Sequence, residues 1–139
     1  MILSRREALV LALGSVAAAA IPMSALASVD DAIAAFTGGA AVTDGAGVTL
    51  TAPEIAENGN TVPVAVDAPG ASAIMLLAAG NPTPAVATFN FGELAGAHMA
   101  STRIRLSKTQ DVIAIAKLAD GTFVRASAEV KVTIGGCGG

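Results

Sequence analysis

The side chain best suited to covalent chemistry is the single cysteine, Cys137, third from the last residue within Gly135-Gly136-Cys137-Gly138-Gly139. A thiolate is a strong nucleophile and forms reversible bonds to sulfur, so a lone cysteine in an exported chain points to a reactive thiol or an intermolecular bond. A frayed terminus would account for the glycines but not for where the cysteine sits. Prenylation needs a cysteine fourth from the end, whereas here only Gly138 and Gly139 follow it. A structural metal site needs about four ligands. The chain holds one Cys and one His. The pattern therefore predicts a slender arm, residues 135–139, with Gly135, Gly136, Gly138 and Gly139 as flexible flanks and Cys137 as the attachment point. At roughly 3.3 to 3.6 Å per residue, the preceding glycines place the sulfur on the order of 10 Å past Ile134.

Something must carry that arm, and the start of the chain says where. Arg5-Arg6 form a short basic region, Ala8 to Ile21 is almost wholly apolar, and Ala25-Leu26-Ala27 has the small-residue pattern of a signal cleavage site. The apolar run falls short of the roughly 20 residues that span a membrane, and Pro22 closes it. Residues 1–27 are expected to be a signal peptide of twin-arginine type, although Ala8 and Val10 stand where that pattern usually has Phe and Lys. Export to the periplasm follows from it.

Cleavage after Ala27 leaves 112 residues with six basic and ten acidic side chains, a net charge of −4. That length makes one domain, residues 28–134, able to bury a core without a disulfide. The acidic balance, and the absence of Trp and Tyr, argue against nucleic acid or an anionic membrane as partner. Ser28 should cap a short helix whose first turn holds Asp30 and Asp31 and which Gly38-Gly39 stops, a packing element outside the main fold.

From Ala46 on, the pattern is that of strands. Val48 to Leu50 leads into a polar connector, Pro53 to Gly59. Thr61 to Val66 alternates, with Pro63 marking an edge or bulged position. Ala73 to Ala78 is continuously apolar, as in a fully buried strand. Ala85 to Phe91 and His98 to Leu106 follow, the latter with Arg103 and Arg105 on the wet face. Val112 to Leu118 and Thr122 to Ala128 should form a hairpin about Asp120-Gly121, and Glu129 to Ile134 a last strand. Roughly seven short strands near ten-residue spacing predict an all-β, immunoglobulin-like antiparallel sandwich. An exposed apolar strip on it would be a dimer surface.

Conventional catalytic constellations are missing, so no catalytic residue and no metal ligand is assigned. His98 reads as a strand residue, because a flexible tail cannot hold Cys137 within the ~3 Å that a dyad requires. Glu54 and Glu57 could meet on one helical turn but read as solvated or partner-facing. Gly38-Gly39 and Gly135-Gly136 lack the Lys-Ser/Thr of a phosphate loop. Lys131 is the cation nearest the thiol in sequence. Activation should therefore come from whatever the thiol visits.

These residues together closely resemble the SoxY family, the carrier subunits of the bacterial thiosulfate-oxidising Sox system. The likeness rests on the leader, Pro53 to Gly59 with Val62-Pro63-Val64, Asn81-Pro82 with Ala87-Thr88-Phe89, Thr102 to Leu106, Lys108 to Val112, and Val130 to Ile134 running into the glycine-flanked Cys137. It implies a periplasmic carrier with an immunoglobulin-like fold, paired with the SoxZ subunit. It also implies that a c-type cytochrome, SoxAX, joins thiosulfate to Cys137, that the hydrolase SoxB releases sulfate, and that a sulfur dehydrogenase, SoxCD, can oxidise what remains. No cofactor is then expected beyond the sulfur intermediate on Cys137. Two other classes stay open: a ubiquitin-like sulfur carrier using a terminal Gly138-Gly139 thiocarboxylate, and a structural immunoglobulin-like module dimerised by its cysteine.

Overall fold

The computed structural model describes residues 28–133. The described residues open with helix α1 (Val29–Thr37), capped by the Ser28 hydroxyl, which accepts from the Asp31 amide at 3.0 Å. Asp30 and Asp31 occupy the first turn, where the positive end of the helix dipole favours carboxylates. Gly38, at φ 67°, ends the helix in the left-handed conformation that a side chain would oppose.

Nine strands follow: β1 (Val42–Asp44), β2 (Thr49–Thr51), β3 (Ile55–Ala56), β4 (Val62–Asp67), β5 (Ala73–Ala78), β6 (Ala85–Asn90), β7 (Met99–Ile104), β8 (Gln110–Lys117) and β9 (Phe123–Val132). The larger sheet runs β1-β9-β8-β5-β6, with β3 also on β9, and the smaller runs β2-β4-β7. They close face to face as an immunoglobulin-like sandwich, which is the expected fold class. Val62, Val64, Val66, Ile104 and Leu106 from the smaller sheet and its margins meet Ile74, Leu76, Val112, Ala114, Ala116 and Val130 from the larger.

The outer face of the larger sheet has its own small core. Ala32, Ile33 and Phe36 of α1 pack on Met75, Leu77, Ile115 and Phe123, with the Phe36 and Phe123 rings edge to face at 5.7 Å. Strand β5 is thus covered on both sides, and all six of its residues are buried. This is why its sequence is apolar without alternation. We expect Leu76→Ala, which empties a fully buried position, to cost about 2 to 5 kcal/mol. Urea unfolding should show a lower midpoint at unchanged m-value.

Several sequence expectations are corrected by the pairing. The last two expected strands are one, because β9 runs unbroken from Phe123 to Val132 against β8. The polar connector 53–59 contains β3, which pairs in parallel with β9, and β1 pairs with β9 in parallel as well. Strand β4 is the middle strand of its sheet and not an edge. Pro63 is tolerated there because pairing with β2 stops at Ala65, so that flank of β4 is open beside the proline.

Within the turn after β8, only Gly121 takes a positive φ. Asp120 instead accepts from the Thr122 amide and hydroxyl at 2.9 and 2.6 Å, which holds its carboxyl below the usual range. Across β1 and β9, Arg125 clasps Asp44 through two hydrogen bonds, and the guanidinium lowers the Asp44 pKa. Its stabilising contribution is present above the ordinary carboxylate pKa and is lost as pH falls through the lowered one; exposure to solvent keeps it small.

Candidate functional site: the root of the C-terminal arm

Residues 134–139, and with them Cys137, Gly135, Gly136, Gly138 and Gly139, lie outside the described residues. The structure does describe the platform from which they leave. Strand β9 is the longest in the fold, and its last residues are gripped on both flanks after β8 has ended.

On one flank is β3, with Ile55 opposite Lys131 and Ala56 opposite Val132. The Lys131 amide donates to the Glu54 carbonyl at 2.9 Å, and the Thr133 amide to the Ala56 carbonyl at 3.2 Å. On the other flank, the β8 ladder finishes at the Gln110–Val130 pair. Beyond it the Thr109 hydroxyl takes the place of a backbone partner, accepting from the Val132 amide at 3.0 Å and donating to the Val132 carbonyl at 3.5 Å.

The segment holding Thr109 is itself tied down. Asn81 Oδ1 accepts from the Ser107 amide, the Ser107 hydroxyl and Gln110 Nε2 at 3.0, 3.1 and 2.9 Å, while Gln110 Oε1 accepts from the Gly80 amide at 2.9 Å. A side chain at Gly80 would put its Cβ 2.9 Å from that of Gln110, so this knot needs glycine there. It joins the β5–β6 loop to the start of β8.

The charge at this end is mixed: Glu54, Glu57, Asp111 and Glu129 are exposed, and so are Lys108, Lys131, Arg105 beside the Asn81 knot and Arg103 opposite Pro63. Asp111 and Glu129 even face each other across the ladder, an arrangement that disfavours folding slightly. Beside β3 lies an open groove of about 430 Å³ that includes Pro53, Ile55, Glu57 and Pro63, with Ile55 56% exposed. No helix joins Glu54 to Glu57, since β3 lies between them. Among the described residues, no group of three or more His, Cys, Asp or Glu could hold a metal ion.

His98 belongs to the opposite end. Its Nδ1 donates to the Ala71 carbonyl and its ring leans on Phe91 at 5.3 Å. The neighbouring Ser72 amide bonds to Lys117, which pairs with Phe123, the first residue of β9. Thr133, the last described residue, follows the other end of that strand, on the order of 30 Å away at ~3.3 Å per residue. Cys137, four residues beyond Thr133, reaches at most about 14 Å from it. The structure therefore gives His98 a packing role. Thr109, by contrast, is a contact to the end of β9 that sequence reasoning missed, because a side-chain hydroxyl standing in for a strand leaves no local pattern.

Known proteins match both this scaffold and its terminus. The family model for the sulfur oxidation protein SoxY matches residues 33–137, a span that ends on the cysteine. Among solved structures, the sulfur carrier protein SoxY from Chlorobium limicola f thiosulfatophilum is 37% identical with a TM-score of 0.68, the match covering 76% of this chain and 91% of that one. A superoxide reductase (neelaredoxin) from Ignicoccus hospitalis matches at 20% identity and TM-score 0.54, covering 61% of this chain and 79% of that one. A putative superoxide reductase from Thermotoga maritima matches at 16% and 0.52, covering 71% and 91%. These two share the fold alone. A search of curated proteins finds no match. With a family model matching most of its length and a solved SoxY 37% identical to it, the chain belongs to the SoxY family of sulfur oxidation proteins.

Proposed function

We propose that this protein is a periplasmic carrier in thiosulfate oxidation, holding sulfur intermediates on Cys137 and presenting them to separate enzymes on the arm 135–139. The observation that carries the reading is the family match reaching Cys137, joined to a strand end fixed up to Thr133. A carrier needs a rigid body, a fixed point of departure and a thin covalent tether.

In the loading step, thiosulfate and the Cys137 thiol lose a proton and an electron pair, forming a bond between Sγ and the sulfane sulfur. The electrons pass to a heme partner of SoxAX type. Water then cleaves the terminal sulfonate in a hydrolase of SoxB type, releasing sulfate and a proton and leaving a persulfide on Cys137. A sulfur dehydrogenase of SoxCD type would oxidise that persulfide further. The carrier contributes the thiol and no turnover of its own.

Intact-mass spectrometry after exposure to thiosulfate and the loading enzyme tests the reading. An adduct that peptide mapping places on Cys137 supports it. A change confined to the terminal carboxylate, or only a disulfide dimer, would overturn it.

The export proposal makes a separate prediction. The periplasmic protein should begin at Ser28, as the Arg5-Arg6 pair and Ala25-Leu26-Ala27 suggest. N-terminal sequencing that finds Met1 on that protein would defeat it.

We also propose a SoxZ-type subunit as stable partner. Ile55 and Met99 are large apolar side chains more than half exposed on the domain, and binding the folded form adds stability by mass action. Light scattering on the coexpressed pair should give a heterodimer that melts above the isolated carrier. Two monomers at micromolar concentration would contradict the proposal.

A further inference from the structure

We infer that the outer face of the smaller sheet is a self-complementary docking surface, on which a second copy of this chain seats with Arg103 of each copy against Asp67 of the other. The larger sheet has α1 packed on its outer face. The outer face of the smaller sheet, β2-β4-β7, is instead an open trough of about 550 Å³ that includes Pro63, Ala65, Ser101 and Arg103. Val62, Val64 and Val66 belong to the core, so the alternate residues Pro63, Ala65 and Asp67 point outward. The register sets Arg103 opposite Pro63, Ser101 opposite Ala65 and Met99 opposite Asp67. A cation therefore stands at one end of the face and a carboxylate at the other, roughly 13 Å apart at ~3.3 Å per residue, with small side chains between them. Among the described residues neither charged group has a hydrogen bond or an ion pair.

That arrangement fits its own copy. A two-fold axis lying between two such faces, across the strands at the Ala65–Ser101 pair, reverses strand direction from one copy to the other. Each Arg103 then arrives at the end where the other copy holds Asp67, one strand aside at about 4.8 Å, an offset that a guanidinium on its long stem spans. Met99, 53% exposed, lies over the Arg103 stem of the other copy and shields its methylenes from water. Ala65 and Ser101 meet themselves at the axis, where short side chains let the backbones approach. The contact is isologous, so every favourable pair occurs twice. The mature chain has a net charge of −4 and repels its copies on average, but this face is neutral and its two charges attract across the axis.

Three strands at about 4.8 Å and six residues at ~3.3 Å make the face roughly 14 Å by 20 Å. That is small against the ~800 Å² per partner of a standard interface, so the pair exchanges readily. Met99 also belongs to the surface proposed above for a SoxZ-type subunit. The two partners therefore exclude each other there, and a second copy covers the face while that subunit is absent.

Sedimentation equilibrium on the mature chain tests this, from about 10 µM to about 1 mM, under reducing conditions so that no disulfide contributes. The wild type should shift from monomer toward dimer, and less so at high salt. Asp67→Arg or Arg103→Glu alone brings like charges together twice in each pair and should weaken association about tenfold or more, at unchanged melting temperature. Asp67→Arg combined with Arg103→Glu should restore it. Ser101→Lys, which meets itself at the axis, should abolish it.

A wild type that stays monomeric to the top of that range overturns the second copy as occupant. If a SoxZ-type subunit then binds and Ser101→Lys blocks it, the face belongs to that subunit instead. A dimer indifferent to all of these variants lies on another surface and overturns the docking face. Loss in the single variants without recovery in the double one overturns the two-fold pairing of Asp67 with Arg103.

Discussion

Cys137→Ser is expected to abolish sulfur loading completely, with melting temperature and subunit pairing unchanged. A serine hydroxyl is almost never ionised near neutral pH, and its oxygen cannot make the reversible bond to sulfur on which carriage depends. Thiolate chemistry requires the sulfur atom itself. No second cysteine exists to take over. The fold should not register the change. The described sandwich runs to Thr133, and its cores as described are formed by residues from Val42 to Val132 together with the helix. Intact-mass spectrometry with thiosulfate and the loading enzyme measures the loss. A serine variant that still gained a sulfur adduct would move the attachment point elsewhere and remove the basis of the proposed function.

The second large effect is expected from width. Gly136→Val or Gly138→Val should leave the domain and its subunit pairing intact but cut partner-catalysed loading by about tenfold or more. Valine branches at Cβ, which restricts the backbone and thickens the tether beside the thiol. A narrow entrance admits a glycine backbone where it would refuse a branched side chain. Removing Gly138 and Gly139 tests the same region by charge. It brings the terminal carboxylate next to the sulfur, where it repels an anionic substrate. Loading is again followed on the intact protein, with melting temperature as the folding control. If both valine variants loaded as fast as wild type, a slender arm would not be the device by which Cys137 reaches its partners.

Much of the framework was legible in the residues. Ser28 with Asp30 and Asp31, followed by Gly38, spelled out a helix that the structure places at Val29–Thr37. The unbroken apolar run 73–78 announced a strand with no wet face, and β5 is that strand. Other features were misread for a shared reason. The connector 53–59 looks polar and turn-like because β3 has only two residues, too few for any alternation to show. Pro63 suggested an edge because proline removes a donor, but what that costs depends on whether a neighbour is present at that point. Val42 to Asp44 carries no strand signal of its own; its pairing with Phe123 to Arg125 makes it one.

The sequence by itself suggested the proposed chemistry, because that depends on the kind of atom present: one thiol, flanked by glycines, and no second cysteine. It determined the class of fold too, since period-two alternation and turn residues are local properties of the chain. The tertiary structure alone decided which residues hold the last described residues of β9 and which stand far from them. Glu54, Ala56 and Thr109 come to the last residues of β9 from 77, 77 and 23 positions away in the chain, while His98 is carried to the opposite end. Hydrogen bonds between strands act over about 3 Å, and which groups come that close is settled only when the two sheets close over their shared core.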